Sequence, residues 1–234
     1  MTTSGTTLFN PDIAELVEEA YERAGVEVRT GYQFKTARRS LNYIMADWAN
    51  RGLNLWTIEQ GEVPLLVGVG DYPLPDDTVD LIETVVRQNQ GSQYNQVDLQ
   101  IQRISISTYA SIPNKLSQGR PIQLFVDRQS PTPIARIWPR PNVDGYILVY
   151  WRLRRLYDAG DSGTLTMDVP FRFLEALTAG LAYHLALKTP EAEGRLTMLK
   201  QLYDEAFQLA ADEDRQRVSV RFVPSAGYIG SRGW

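Results

Sequence analysis

Ala37-Arg-Arg-Ser-Leu-Asn-Tyr-Ile-Met-Ala-Asp-Trp-Ala-Asn-Arg-Gly-Leu-Asn-Leu-Trp56 carries two kinds of information. Its apolar residues recur at spacings of three and four, so a helix over Tyr32 to Arg51 places Phe34, Ala37, Leu41, Ile44, Met45 and Trp48 on one face. Gly52 is positioned to end that helix, because a left-handed cap costs glycine little. The opposite face carries Lys35, Arg38, Arg39, Asp47 and Asn50. The plain reading of those charges is a solvated face; the sharper one is a subunit contact or a channel lining.

Working outward, a first helix is expected to start at Asn10 as cap, with Pro11 in the first helical position, and to run to about Ala24. Ile13, Leu16, Val17, Ala20 and Tyr21 form its apolar stripe, and Glu15, Glu18 and Glu19 suit the positive end of the helix dipole. From about Leu55 to Tyr157 the period changes to two, as in Val97, Leu99 and Ile101 alternating with Asp98, Gln100 and Gln102. Ile122 to Arg128 and Ile134 to Trp138 read as a hairpin, Tyr146 to Leu153 as a further strand, and the region around Ser107 to Ser111 as a short helix. The glycines of Val67 to Asp71 fit a turn between strands. They lack the third glycine, the Gly-Lys-Ser/Thr and the following helix that a phosphate loop needs.

After Gly163 the helical period returns. Phe173, Leu174, Leu177, Leu181 and Leu185 on one side, with Ala176, Ala179, Gly180 and Tyr183 on others, predict a central helix that is apolar nearly all round. Thr189-Pro190 is then expected to cap and open a last helix, buried through Leu196, Leu199, Tyr203, Phe207 and Ala210. The expected fold class is therefore α+β and mainly helical: a helical bundle from both chain ends with a β-rich insertion and an extended C-terminal tail. Its parts are 1–54 and 161–213 for the bundle, 55–160 for the insertion and 214–234 for the tail.

The 234-residue chain is long enough to bury a core without covalent staples. With no cysteine it has neither disulfides nor thiolate chemistry, and its single histidine, His184, lies within the apolar helix, where a packed imidazole is the expected role. The usual zinc sites cannot be assembled within one chain from that inventory. Neither a cofactor nor a metal is expected. Asp76-Asp77, Asp212-Glu213-Asp214 and Glu18-Glu19 are sequence neighbours, read as turn and helix-surface charges, since adjacent acids seldom address one substrate. A catalytic site is not expected. Met1 to Thr7 has no basic start followed by an apolar core, so no secretory leader is expected, and no apolar run reaches membrane-spanning length.

Twenty-four Lys plus Arg stand against 28 Asp plus Glu, a formal net charge of −4, so any contact with DNA must be local. Most of the cations are arginine, which suits planar pairing with carboxylates at subunit contacts. Arg152, Arg154 and Arg155 beside Trp151 and Tyr157 mix charge with stacking surface, as nucleic-acid sites do, although an amphipathic strand end explains them as well. Beyond Asp214 the pattern changes. Arg215, Arg217, Arg221 and Arg232 are interspersed with Phe222, Tyr228, Ile229 and Trp234 among glycines, a mixture expected to order on a partner surface.

The stretch quoted at the outset also resembles the amino-terminal segment of phage tail accessory factors, the head-to-tail adaptors of podoviruses. The residues that carry the likeness are Arg38, Arg39, Leu41 and a Trp-x-x-x-Gly-x-x-x-Trp run at Trp48, Gly52 and Trp56. About twenty residues match by motif and the rest by layout, helices then strands then helices. The resemblance implies a non-enzymatic virion component at the portal vertex, made in the bacterial cytoplasm. It implies a homo-oligomeric ring, usually of twelve copies, that sits under the portal protein, extends the DNA channel, helps retain packaged DNA and anchors downstream tail or nozzle proteins. Double-stranded DNA would pass without sequence-specific contact, and no membrane partner is implied. It further implies a carboxy-terminal segment reaching the portal, which makes Arg215, Arg217, Arg221, Phe222, Tyr228, Ile229, Arg232 and Trp234 the portal-contact candidates. Two other readings stay open: a DNA-binding packaging accessory protein, and a virion-associated envelope hydrolase.

Overall fold

A computed structural model describes residues 3–26, 31–51 and 55–214. Helix α1 (Ile13–Ala24) begins two residues later than its sequence suggests. Asp12, not Asn10, is the cap: its carboxylate accepts from the Glu15 N–H at 2.9 Å, and the Glu15 carboxylate accepts from the Asp12 N–H at 3.1 Å. That reciprocal pair satisfies two free donors at once, which Asn10 followed by Pro11 cannot do. The next two N–H groups, of Ile13 and Ala14, donate to the carbonyls of Leu165 and Gly163. The start of α1 is thereby fastened to the segment that precedes the later helices.

Helix α2 (Gly31–Asn50) buries Ala37, Leu41, Ile44, Met45 and Trp48, the face its spacing predicts. Among the short elements is α3 (Ile106–Ala110), capped by the Ser105 hydroxyl. Helix α4 (Leu174–Ala186) is buried on nearly all sides and packs on α1, on α2 and on α5 (Leu196–Glu213). Its Gly180 lets α5 come close, because a Cβ there would sit 2.7 Å from the ring of Tyr203. The chain does not enter α5 directly at Pro190. Pro190–Arg195 forms a 3-10 turn first, and the Thr189 hydroxyl donates back to the Leu185 carbonyl instead of capping forward.

The strands are β1 (Ile58–Leu65), β2 (Asp71–Pro73), β3 (Thr78–Gln88), β4 (Val97–Gln100), β5 (Gln102–Arg103), β6 (Gln118–Gly119), β7 (Gln123–Asp127), β8 (Ile134–Trp138), β9 (Arg140–Pro141) and β10 (Tyr146–Arg154). They make one four-stranded sheet in the order β1-β10-β3-β4, a second in the order β2-β8-β7-β5, and a two-stranded ribbon of β6 and β9. Leu65, Leu81, Val86 and Leu148 from the first sheet and Tyr72, Leu124, Ala135 and Ile137 from the second share one apolar core. This core is separate from the one formed by α1, α2, α4 and α5.

The expectation of a mainly helical molecule is thus overturned. Of the described residues 39% are helical and 26% strand, in five helices and three sheets, and the β-rich region is a body with its own core. The reason lies in the strands themselves. Strands β5, β6 and β9 are two residues long and cannot display a period, and β4 is an edge strand in which Val97 remains exposed while Ile101, just beyond it, is buried. An edge needs no alternation of burial, so the alternating sequence of β4 does not tell how much of it the core takes up.

Candidate interaction surfaces

The Trp48–Trp56 motif lies inside the molecule. Trp48 is 1% exposed, and its indole N–H donates to the Tyr203 hydroxyl at 2.9 Å. The Trp48 and Trp56 rings both pack on Phe173, with centroids 5.4 and 4.9 Å from it, and Phe207 closes on Trp48 at 5.4 Å. Trp56 also donates its indole N–H to the Asp168 carbonyl at 3.1 Å. The aromatic cluster therefore ties α2, the turn leading into β1, and the start of α4 to α5. Clusters of this kind bury large apolar area and add an orientation-dependent attraction. Leu41 is fully buried in the same core. Gly52 lies outside the described residues.

The charged members of the motif divide. Arg38 donates to the Gly160 carbonyl at 3.0 Å and to the Asp161 carboxylate at 2.8 Å, pinning the loop between β10 and α4. Arg39 is exposed on the outer face of α2. Just beyond the end of α2, Arg51 pairs with Asp47 and lies 4.3 Å over the Phe207 ring of α5.

The arginines at the end of β10 are engaged within the chain. Arg152 bonds Glu59 at 2.7 Å and also the Asp77 carboxylate; Arg154, only 7% exposed, bonds Glu59 at 2.7 Å and Asp168. The Arg154 guanidinium is held more firmly protonated than usual, chiefly by Asp168, and the Arg152 hydrogen bond holds the Asp77 carboxyl below the ordinary carboxylate value. Arg154 also lies 4.2 Å over the Tyr157 ring. The mixture of arginine and aromatic residues that suggests stacking on nucleic acid is therefore an internal fastening between the first sheet and the approach to α4. Arg155 remains exposed. The same holds for Arg87 with Glu62 and Asp98, and for Arg136 with Asp127: the planar pairing expected between subunits occurs inside one.

The adjacent acids also separate. Asp76 accepts from the Thr132 hydroxyl at 2.6 Å while Asp77 serves Arg152. Asp214, read from sequence as a surface charge, is 3% exposed: it accepts from the Leu55 N–H at 3.2 Å and pairs with Arg172. No signal in the sequence distinguishes it from its neighbours. His184 is half-buried beside the Tyr183 ring, and burial together with Lys188 pushes its imidazole below the ordinary value. Among the described residues, no group of three or more His, Cys, Asp or Glu is placed to hold a metal ion, and no helix is long and apolar enough to cross a membrane.

Two surfaces are left without a covering element among the described residues. Met198, Leu202 and Leu209 are 52%, 46% and 71% exposed and recur along the outward side of α5. Near the start of α4, Phe9 and Phe171 are 71% and 73% exposed and line hollows beside α1. Exposed apolar stripes of this kind mark contact with other molecules more often than scattered single residues do. The portal-contact candidates Arg215, Arg217, Arg221, Phe222, Tyr228, Ile229, Arg232 and Trp234 lie outside the described residues.

A family model described as SU10 adaptor protein matches residues 12–224, from the cap of α1 through all the elements described above. No curated protein matches the chain.

Proposed function

Because the chain belongs to the SU10 adaptor protein family, whose members are structural parts of the phage virion neck, we infer that it works as one subunit of a head-to-tail ring of identical copies beneath the portal. The ring, of twelve copies in this reading, extends the DNA exit channel, helps retain packaged DNA and gives later tail proteins a seat. The observation that carries the reading is the family match across residues 12–224. Two features support it. The apolar side of α5 has no partner among the described residues, and a ring built from a heterologous contact supplies one from the neighbouring copy. Most arginines among the described residues are paired with carboxylates of their own chain, so that part of the subunit offers passing DNA few strong phosphate contacts, as a channel that must let DNA slide requires.

In the same reading residues 215–234 dock on the portal. Co-sedimentation with cognate portal tests both parts. The full chain is expected to pellet with portal, and a chain ended after Asp214 is expected to stay in solution while remaining folded. Equal pelleting of the truncated chain removes the tail from the portal contact. Failure of both chains to pellet removes the adaptor reading itself.

A further inference from the structure

The hollow between α1 and the start of α4 is a groove of about 630 Å³ with an apolar floor and an acidic rim. Leu16, Leu174 and the two exposed phenylalanines, Phe9 and Phe171, supply the floor. Glu15, Glu18, Glu19, Glu22 and Glu175 stand on the rim against two arginines. Arg23 is engaged by Glu19 and Glu175, Arg172 by Asp214, and Glu15 by the cap of α1. Glu18 and Glu22 form no ion pair among the described residues, so the rim keeps a net negative charge facing an apolar floor.

The position of Arg172 links this groove to the tail. It lines the groove and holds the carboxylate of Asp214, the last described residue, so the end of α5 lies beside the groove. The segment 215–234 has four arginines, Phe222, Tyr228 and Trp234, and no acidic residue. Its extended reach of roughly 60 Å far exceeds what crossing the groove requires. Charge, apolar character and point of departure therefore all match the groove to this segment.

We propose that, in a subunit not yet attached to the portal, the groove holds the chain's own segment 215–234, its arginines on the acidic rim and its aromatic side chains on the floor. The inference rests on the tail being the portal-docking element, and gives that element a resting place from which the portal must draw it. Holding the tail in the groove lowers the fraction of subunits competent to bind, which weakens apparent portal affinity by that fraction. Premature contacts between free subunits through their aromatic tails are reduced in the same way.

The absence of native cysteine makes the test clean. In the full chain, Val223→Cys carries a benzophenone photo-crosslinker, and crosslinked peptides are mapped at a concentration where the protein is monomeric. Crosslinks are expected within one chain to residues 12–23 and 171–178, and are expected to fall several-fold in E18Q/E22Q or in about 0.5 M salt, which screens exposed pairs. Glu18 and Glu22 are exposed, so the double variant should fold normally. It is expected to bind portal more tightly than the parent. Crosslinks confined to other surfaces, crosslinks between copies, or a pattern unchanged in E18Q/E22Q would each overturn the proposal. Portal binding by the chain ended after Asp214 decides the docking reading separately, because it does not involve the groove.

Discussion

The indole N–H of Trp48 donates to the phenol oxygen of Tyr203 at 2.9 Å, a buried bond between residues 155 positions apart in sequence. It joins α2 to α5, and so the first part of the chain to the last. Tyr203→Phe keeps the ring but removes the hydroxyl that accepts from Trp48, which costs about 0.5–1.5 kcal/mol. Urea denaturation should show that loss as a lower midpoint at unchanged slope. No change would mean that the bond contributes nothing net.

Gly180 governs the same contact from the other side. Gly180→Ala puts a methyl 2.7 Å from the Tyr203 ring and forces α4 and α5 apart, with an expected cost of about 1–3 kcal/mol despite alanine's better helix propensity. Thermal unfolding of this variant separates the two effects by sign, since propensity alone would raise the midpoint.

Asp168 is the partner on which Arg154 most depends. Asp168→Asn leaves a guanidinium that is 7% exposed with one carboxylate, Glu59, in place of two, and losing one charged hydrogen-bond partner costs about 1.5–3 kcal/mol. The double change Arg154→Met with Asp168→Leu removes the charges together and is expected to recover much of that loss. If the single variant is as stable as the parent, the fastening between the sheet and α4 is dispensable.

Three of the described groups shape the response to acid, and all act in the same direction: His184 at the upper end, and at the lower end Asp77 and Asp98, the latter held below its ordinary value by the Arg87 hydrogen bond. His184, beside Lys188 and Asp47, has a folded value below its ordinary 6.5, so the unfolded chain takes up the proton first. Its contribution is complete above that value and is lost as pH falls through it toward the folded value. Asp77, held below 3.8 mainly by Arg152, adds a second loss at lower pH. A plot of unfolding midpoint against pH should therefore decline in two stages on acidification, and His184→Gln should flatten only the upper one.

Along α5, Leu209→Glu separates assembly from folding. Leu209 is 71% exposed, so subunit stability should stay within about 0.5 kcal/mol of the parent. Rings on the portal should be lost, as judged by mass photometry of the mixture. Intact rings would move the subunit contact away from α5.

The helices were legible because their faces are periodic and buried: Leu41, Ile44 and Trp48 on α2, and Leu177 and Leu181 on α4, declare themselves by spacing. The resemblance to head-to-tail adaptors, resting on the run from Trp48 to Trp56, is borne out by the family match. What that run does was not legible. Its conspicuous tryptophans read as a signature, yet they close on Phe173, which lies more than a hundred residues downstream. Pairings between distant residues leave no local trace. The same applies to Arg154, whose neighbours in sequence suggest a binding surface while Glu59 and Asp168 reach it only through the fold. The β region was underweighted because its shortest strands are too brief to show alternation.

The claim that a subunit is completed only by its copies and by the portal is met most directly by electron microscopy of the purified chain mixed with cognate portal. The account predicts ring-shaped density of adaptor subunits on one face of the portal and none on the other. Portal particles with both faces bare at saturating protein, with the chain remaining monomeric beside them, would contradict it.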